Sequence, residues 1–173
     1  MESLGSETIE VRTIDELLSV DCLIIPGGES TVMGKLLVKN NLMETLRSRI
    51  LDGMPVFGTC AGMILMSCAI KDMDQPSLGV LDITVERNAY GRQLESFETE
   101  LDVSVISGGS FPGIFIRAPK IVSAGNGVDI LAELDSVPVL VRRNNILAAS
   151  FHPELSGDRR IHEFFASMVK SQD

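Results

Sequence analysis

The chain has 173 residues, 45% of them hydrophobic, enough for one domain with a real core. A formal net charge of -9 without any Lys/Arg cluster excludes a phosphate-reading face and an affinity for anionic membrane surfaces. The longest apolar stretches, Met54–Phe57 and Met63–Met66, are far too short to span a bilayer, and "MESLGSETIE" lacks the basic and apolar regions of a signal peptide, so a cytoplasmic protein is expected.

In chain order, "MESLG" reads as the last turn of a helix ended by Gly5. A doubly wound fold normally opens with a strand and its helix, and neither precedes this turn. Met1 is therefore expected to be an internal methionine of a longer natural protein, with the opening strand missing. "TIEVR" (Thr8–Arg12) has the look of a short strand, and "IDELLSV" of a short helix. "DCLIIP" is a continuous apolar run, as in a strand covered on both faces of a parallel sheet. "GGEST" leads into a helix near Val32–Val38, and a second helix from Leu42 to Leu51 stops at Asp52-Gly53, a glycine C-cap. "MPVFG" is a second buried strand, with Ala61–Ile70 as the helix behind it.

The second half changes character. "LDITVER", "FETELDVSV", "GIFIRAP", "VDILAEL", "VPVLVRR" and "ILAASFHP" are short strand-like runs separated by turn residues, with Asn144-Asn145 as a hairpin turn. An amphipathic helix from Asp158 to Lys170 closes the chain. The expected architecture is one α/β domain: a mostly parallel sheet with an antiparallel extension.

Three cysteines is an odd number, and their spacing suits no metal. Cys22 and Cys68 lie in apolar surroundings and are expected to be small core residues. Cys60 is different. It stands in G-x-C-x-G, Gly58 to Gly62, between an apolar strand and a helix, the form of a nucleophile elbow. Such a turn exposes the sulfur at the strand's end, and the start of the helix favours negative charge on it. The N–H of Ala61 would point where an oxyanion develops. Taken alone, the pattern also fits a buried cysteine in a tight turn.

The other end of the chain decides between these. Only two histidines are present, and His152 closes an apolar run in "SFHPEL". His152 and Glu154 are two apart, so in extended backbone both leave one face. A carboxylate against Nδ1 with Nε2 facing a thiol is the base-plus-orienter logic of a triad. "HPE" alone fits a solvent-facing strand end equally well. With the elbow, both at carboxyl ends of expected parallel strands, Cys60–His152–Glu154 is favoured. His162 reads as a half-exposed helix residue.

The loop "PGGES" should lie at the same sheet edge, where Gly27-Gly28 offers a second oxyanion donor. It matches neither phosphate-loop pattern, and Ser30 lacks the turn that a nucleophile needs. Arg87 and Arg117, each ending a strand-like run, suit a bidentate carboxylate clamp, although composition alone favours a solvated surface position for either.

"PGGEST", "GTCAGMI", "VERNAYGRQ", "FIRAP" and "SFHPEL", in this order and spacing, resemble the glutaminase subunits of pyridoxal 5′-phosphate synthase, the PdxT/SNO family of class I glutamine amidotransferases. The resemblance covers roughly residue 24 to the C-terminus. It implies a flavodoxin-like fold and hydrolysis of L-glutamine to glutamate and ammonia, with no metal or cofactor. By the same resemblance, Cys60 would form a glutamyl thioester, with His152 and Glu154 completing the triad. Gly28, Glu29, Ser30, Arg87, Ile116 and Arg117 would contact glutamine, and Gly28 and Ala61 would form the oxyanion hole. The implied partner is a (β/α)₈-barrel synthase subunit that receives the ammonia. The alternatives are a PfpI-type cysteine-elbow hydrolase or chaperone, and a non-catalytic glutamine-sensing regulatory subunit.

Overall fold

The computed structural model describes residues 1–87 and 96–170; most of "VERNAYGRQ" therefore lies outside the described residues. A 3-10 turn at Glu2–Leu4 leads to α1 (Ile14–Ser19), β1 (Leu23–Ile25), α2 (Ser30–Lys39), α3 (Met43–Leu51), β2 (Val56–Thr59) and α4 (Ala61–Met66). Then come β3 (Ser67–Ile70), β4 (Leu81–Glu86), β5 (Ser96–Leu101), β6 (Phe111–Ile116) and β7 (Lys120–Ala124). The chain continues through β8 (Asp129–Leu134), β9 (Val137–Arg143), β10 (Ile146–Ala149), a 3-10 turn at Pro153–Leu155 and α5 (Arg160–Lys170).

Local chemistry sets the helix starts. Thr13 and Glu16 form a reciprocal capping box on α1, each side chain accepting the other's backbone N–H. Glu29 caps α2 by accepting from the N–H groups of Thr31 and Val32. Gly5 ends the opening turn in the left-handed region, φ 81°, as a glycine C-cap does.

The apolar runs assemble into one five-stranded sheet in the order β1-β2-β10-β9-β8. β1, β2 and β10 are parallel, while β9 and β8 extend the sheet antiparallel. Two smaller sheets flank it, β3-β4-β7 and β5-β6. Successive residues of the central strands feed opposite faces. Val56, Ile146 and Ala148 join one core with α1, α2, α3 and α4, while Phe57, Leu147 and Ala149 join a second with Ile161 and Phe165 of α5. Each large side chain so buried stabilises the fold by roughly 1.5–3 kcal/mol. The fold is thus the expected α/β arrangement, with helices on both faces. Among the described residues no helix is long and apolar enough to cross a membrane.

Three elements differ from the sequence reading. Thr8–Arg12 forms no strand. Its residues alternate suitably, but a cavity of about 590 Å³, lined by Thr8, Ile9, Val11 and Cys22 to Ile24, separates them from the outer edge of β1. A strand needs a ladder partner, and propensity alone does not supply one. The helix after Cys60 ends at Met66, not Ile70. Ser67 turns extended and donates its hydroxyl to the Ile64 carbonyl at 2.7 Å, and Ser67–Ile70 then pairs in parallel with β4. Cys68 is consequently exposed rather than a core residue. Lys120–Ala124, read as no element, pairs antiparallel with β4 as β7.

Candidate active site

Cys60 sits between the last residue of β2 and the first of α4, with φ 50° and ψ -104°. For a non-glycine residue this backbone costs on the order of 1–3 kcal/mol, so packing must impose it. The imposing contacts are visible. The Cys60 N–H donates to the Ala149 carbonyl at 2.8 Å, which ties the elbow to the end of β10. A Cβ on Gly62 would fall 2.0 Å from the Ile25 carbonyl oxygen, so only glycine lets α4 approach β1 this closely. The thiol itself is nearly buried, 9% exposed, with Sγ 3.9 Å from the Ile116 carbonyl at the end of β6.

His152 follows β10 after the fully buried Phe151, and its N–H donates to the Ile114 carbonyl at 2.8 Å. Pro153 then starts a 3-10 turn, so Glu154 does not lie on an extended strand as its spacing suggests. The turn carries the carboxylate back instead, leaving Glu154 Oε1 at 2.8 Å from His152 Nδ1. A hydrogen bond with the Cys60 side chain is the largest influence on the imidazole, followed by the bond to Glu154. Together they outweigh burial and push its pKa up to about 9. Burial alone would raise Glu154, but the His152 hydrogen bond, backbone N–H donation and the neighbouring charge hold the carboxyl below its ordinary range. His162, half-buried on α5, stands edge-on to Phe57 at 5.9 Å and is pushed down by burial.

The loop after β1 closes over this pair. A Cβ on Gly27 would lie 2.4 Å from His152 Cε1, so the imidazole occupies the space a side chain would need. Gly28 and Glu29 follow directly, and Ser30 is 1% exposed at the start of α2. Arg87, just past β4, reaches the same turn. Its guanidinium donates to Glu29 Oε1 at 2.9 Å, Thr31 Oγ1 at 2.9 Å and Gln75 Oε1 at 3.1 Å. Arg87 is therefore not a solvated surface arginine; its fork is engaged by the helix start. Arg117 follows β6 with φ 45°, adjacent to the Ile116 carbonyl that faces the thiol.

The structure thus brings Cys60, His152 and Glu154 together, with Gly27 and Ile116 beside them and Gly28 next in the chain, and gathers Glu29, Ser30 and Arg87 into an adjoining cluster. Ala61, first residue of α4, has one of the N–H groups that a helix start leaves without an intrahelical partner. Among the described residues no group of three or more His, Cys, Asp or Glu is placed to hold a metal ion. The sequence reading did not single out Gln75 or Thr31. Gln75 lies in no motif, and its place is visible only once the 71–80 loop has folded onto α2.

The cysteine stands in an elbow at the end of a parallel strand, with a carboxylate-bound imidazole near it, on a sheet with helices on both faces. The structure matches a crystal structure of a glutamine amidotransferase with a TM-score of 0.93 and 47% identity, covering 98% of this chain and 89% of that one. The model of the SNO glutamine amidotransferase family matches residues 1–171, and the chain belongs to that family. Relatives from Thermosipho africanus and Thermotoga maritima are each 54% identical over 170 residues, 98% of this chain and 90% of theirs. Both are named pyridoxal 5′-phosphate synthase subunit PdxT.

Proposed function

We propose that residues 1–173 form one glutaminase domain, the ammonia-producing subunit of a cytoplasmic pyridoxal 5′-phosphate synthase. The observation that carries this reading is the imidazole of His152, bound at 2.8 Å to Glu154 through Nδ1, with the Cys60 side chain near enough to be the largest cause of its raised pKa. The Cys60 thiol gives its proton to His152 as Sγ attacks the side-chain amide carbon of L-glutamine, and the carbonyl electrons move onto the oxygen. The N–H groups of Gly28 and Ala61 stabilise that oxyanion. The C–N bond breaks as the imidazolium of His152 gives its proton to the leaving nitrogen, releasing ammonia and leaving a glutamyl thioester. Neutral His152 then takes a proton from water, whose oxygen attacks the thioester and frees glutamate. Glu154 holds the ring in one tautomer and stabilises its charged form.

Gly28, Glu29, Ser30, Arg87, Ile116 and Arg117 contact the substrate. Glu29 and Arg87 are ion-paired, which sets a negative and a positive group side by side at the edge where the substrate would lie. The ammonia passes to a (β/α)₈-barrel synthase subunit, and the chain itself needs no cofactor. The test is ammonia release from glutamine, with the synthase subunit present. Cys60→Ala lowers it by at least about 10³-fold, as loss of a covalent nucleophile does, while ammonia-driven synthesis continues. Glutamine-dependent synthesis that survives Cys60→Ala would instead establish a non-catalytic glutamine sensor.

A further inference from the structure

Gln75 is the polar hub of the cluster beside the triad. Its Oε1 accepts from three donors: Thr31 Oγ1 at 2.9 Å, Arg87 Nη1 at 3.1 Å and Ser30 Oγ at 3.3 Å. Two of these, Ser30 and Arg87, are residues proposed above to touch glutamine, and the third lies between Ser30 and the α2 helix body. A guanidinium has only donors, so the amide oxygen, not its nitrogen, must face Arg87. That fixes the amide's orientation and leaves Nε2 buried without a hydrogen-bond partner among the described residues. Buried polar atoms are rarely left so. Stability alone would favour another residue here, which directs attention to what the oxygen does.

The loop that carries Gln75 is firmly seated. A Cβ on Gly34 would lie 2.5 Å from the Pro76 carbonyl oxygen, so the backbone next to Gln75 presses directly on α2. Leu78 and Val80 donate their N–H groups to the carbonyls of Leu65 and Met66, at 2.7 and 3.0 Å, anchoring the loop to α4. Gln75 therefore receives its position from two helices and transmits it to three side chains.

We infer that Gln75 is a positioning residue for glutamine recognition, holding Ser30 and Arg87 in the arrangement that the substrate meets. The inference rests on the glutaminase reading. One acceptor oxygen orders two substrate-contacting donors from elements far apart in the chain, α2 and the end of β4. Without it, Arg87 Nη1 keeps Thr31 Oγ1 and the Met73 sulfur but loses the amide oxygen, Nη2 keeps Glu29, and the Ser30 hydroxyl is free to rotate. The triad has no contact with this oxygen, so chemistry on bound substrate should proceed unchanged.

The experiment measures glutaminase kinetics of the full chain with its synthase subunit. Gln75→Met keeps the shape and removes the acceptor, so KM for glutamine should rise about 10-fold or more, with kcat within about 2-fold. Gln75→Glu keeps an acceptor oxygen and should stay within about 3-fold of the unaltered chain in KM. Iodoacetamide alkylation of Cys60 should proceed at the same rate in all three, since that small reagent does not use the recognition cluster. If Gln75→Met fails to fold, Gln75→Asn, which withdraws the oxygen by one methylene, takes its place with the same expectation. An unchanged KM, a loss confined to kcat, or equal losses for Met and Glu would overturn the role. An unaltered chain that hydrolyses no glutamine with its synthase present would overturn the glutaminase reading, and this inference with it.

Discussion

Cys60 and Arg87 are held in place by opposite means. The thiol is aimed by backbone: a strand end, a left-handed turn, an N–H bonded to the next strand and a glycine that lets α4 close on β1. The guanidinium is aimed by side chains: a carboxylate, a hydroxyl and an amide oxygen drawn from two other segments. Backbone placement is stiff, because moving the sulfur means moving a sheet. Side-chain placement is adjustable, because each anchor removed leaves the others in place. The reacting half of the site should therefore fail in kcat, and the recognising half in KM.

The sharpest division should come from Glu154→Gln, which keeps the size of the side chain but removes the charge that orients His152. The expected loss is roughly 10²-fold or more in kcat with little change in KM, as for a triad deprived of its orienting carboxylate. Steady-state kinetics checks it, and a change confined to KM would erase the distinction between the halves. Gly27→Ala should be milder. The added methyl would stand 2.4 Å from His152 Cε1, and the ring must shift to make room. A displacement of about 1 Å costs roughly 10- to 100-fold in kcat, while circular dichroism and the thermal midpoint remain near those of the unaltered chain.

The smallest effect expected is on stability. Folding raises the pKa of His152 from 6.5 to about 9, so its proton is bound more tightly in the folded chain. The stabilisation is complete below pH 6.5 and fades as pH rises through about 9. It amounts to roughly 1–3 kcal/mol. Denaturant midpoints measured from pH 6 to 10 should fall accordingly, and Cys60→Ala should flatten the fall, because the thiol is the largest cause of the raised pKa. A slope unchanged by Cys60→Ala would separate the imidazole from the sulfur.

Much of the arrangement around Cys60 and His152 was legible because it is written in local geometry. Glycines around Cys60 announce a turn that few other residues permit, and an imidazole two residues from a carboxylate announces a pair. Even there the route differed: a 3-10 turn from Pro153, not extended backbone, returns Glu154 to the ring. Of the half proposed to recognise substrate, the motifs named Glu29, Ser30 and Arg87, which the structure gathers into one cluster. Gln75 carries no local signal, since its role arises from contacts across 44, 45 and 12 residues of sequence.

The sheet shows the same division. Val137–Arg143 and Thr8–Arg12 are both strand-like in sequence, yet only the first finds partners, β8 and β10, and becomes a strand. Cys68 was misplaced for a related reason: the helix pattern after Cys60 runs on through it, but pairing with β4 turns the chain extended and exposes the thiol. Alone, the sequence determined the alternating layers, the elbow and the identity of the three groups proposed for catalysis, because periodicity, glycine and residue chemistry act over a few positions. Tertiary structure decided which extended segments became strands, how Glu154 reached His152 and what anchors Arg87. Hydrogen bonds between distant segments exist only after the chain has brought them together.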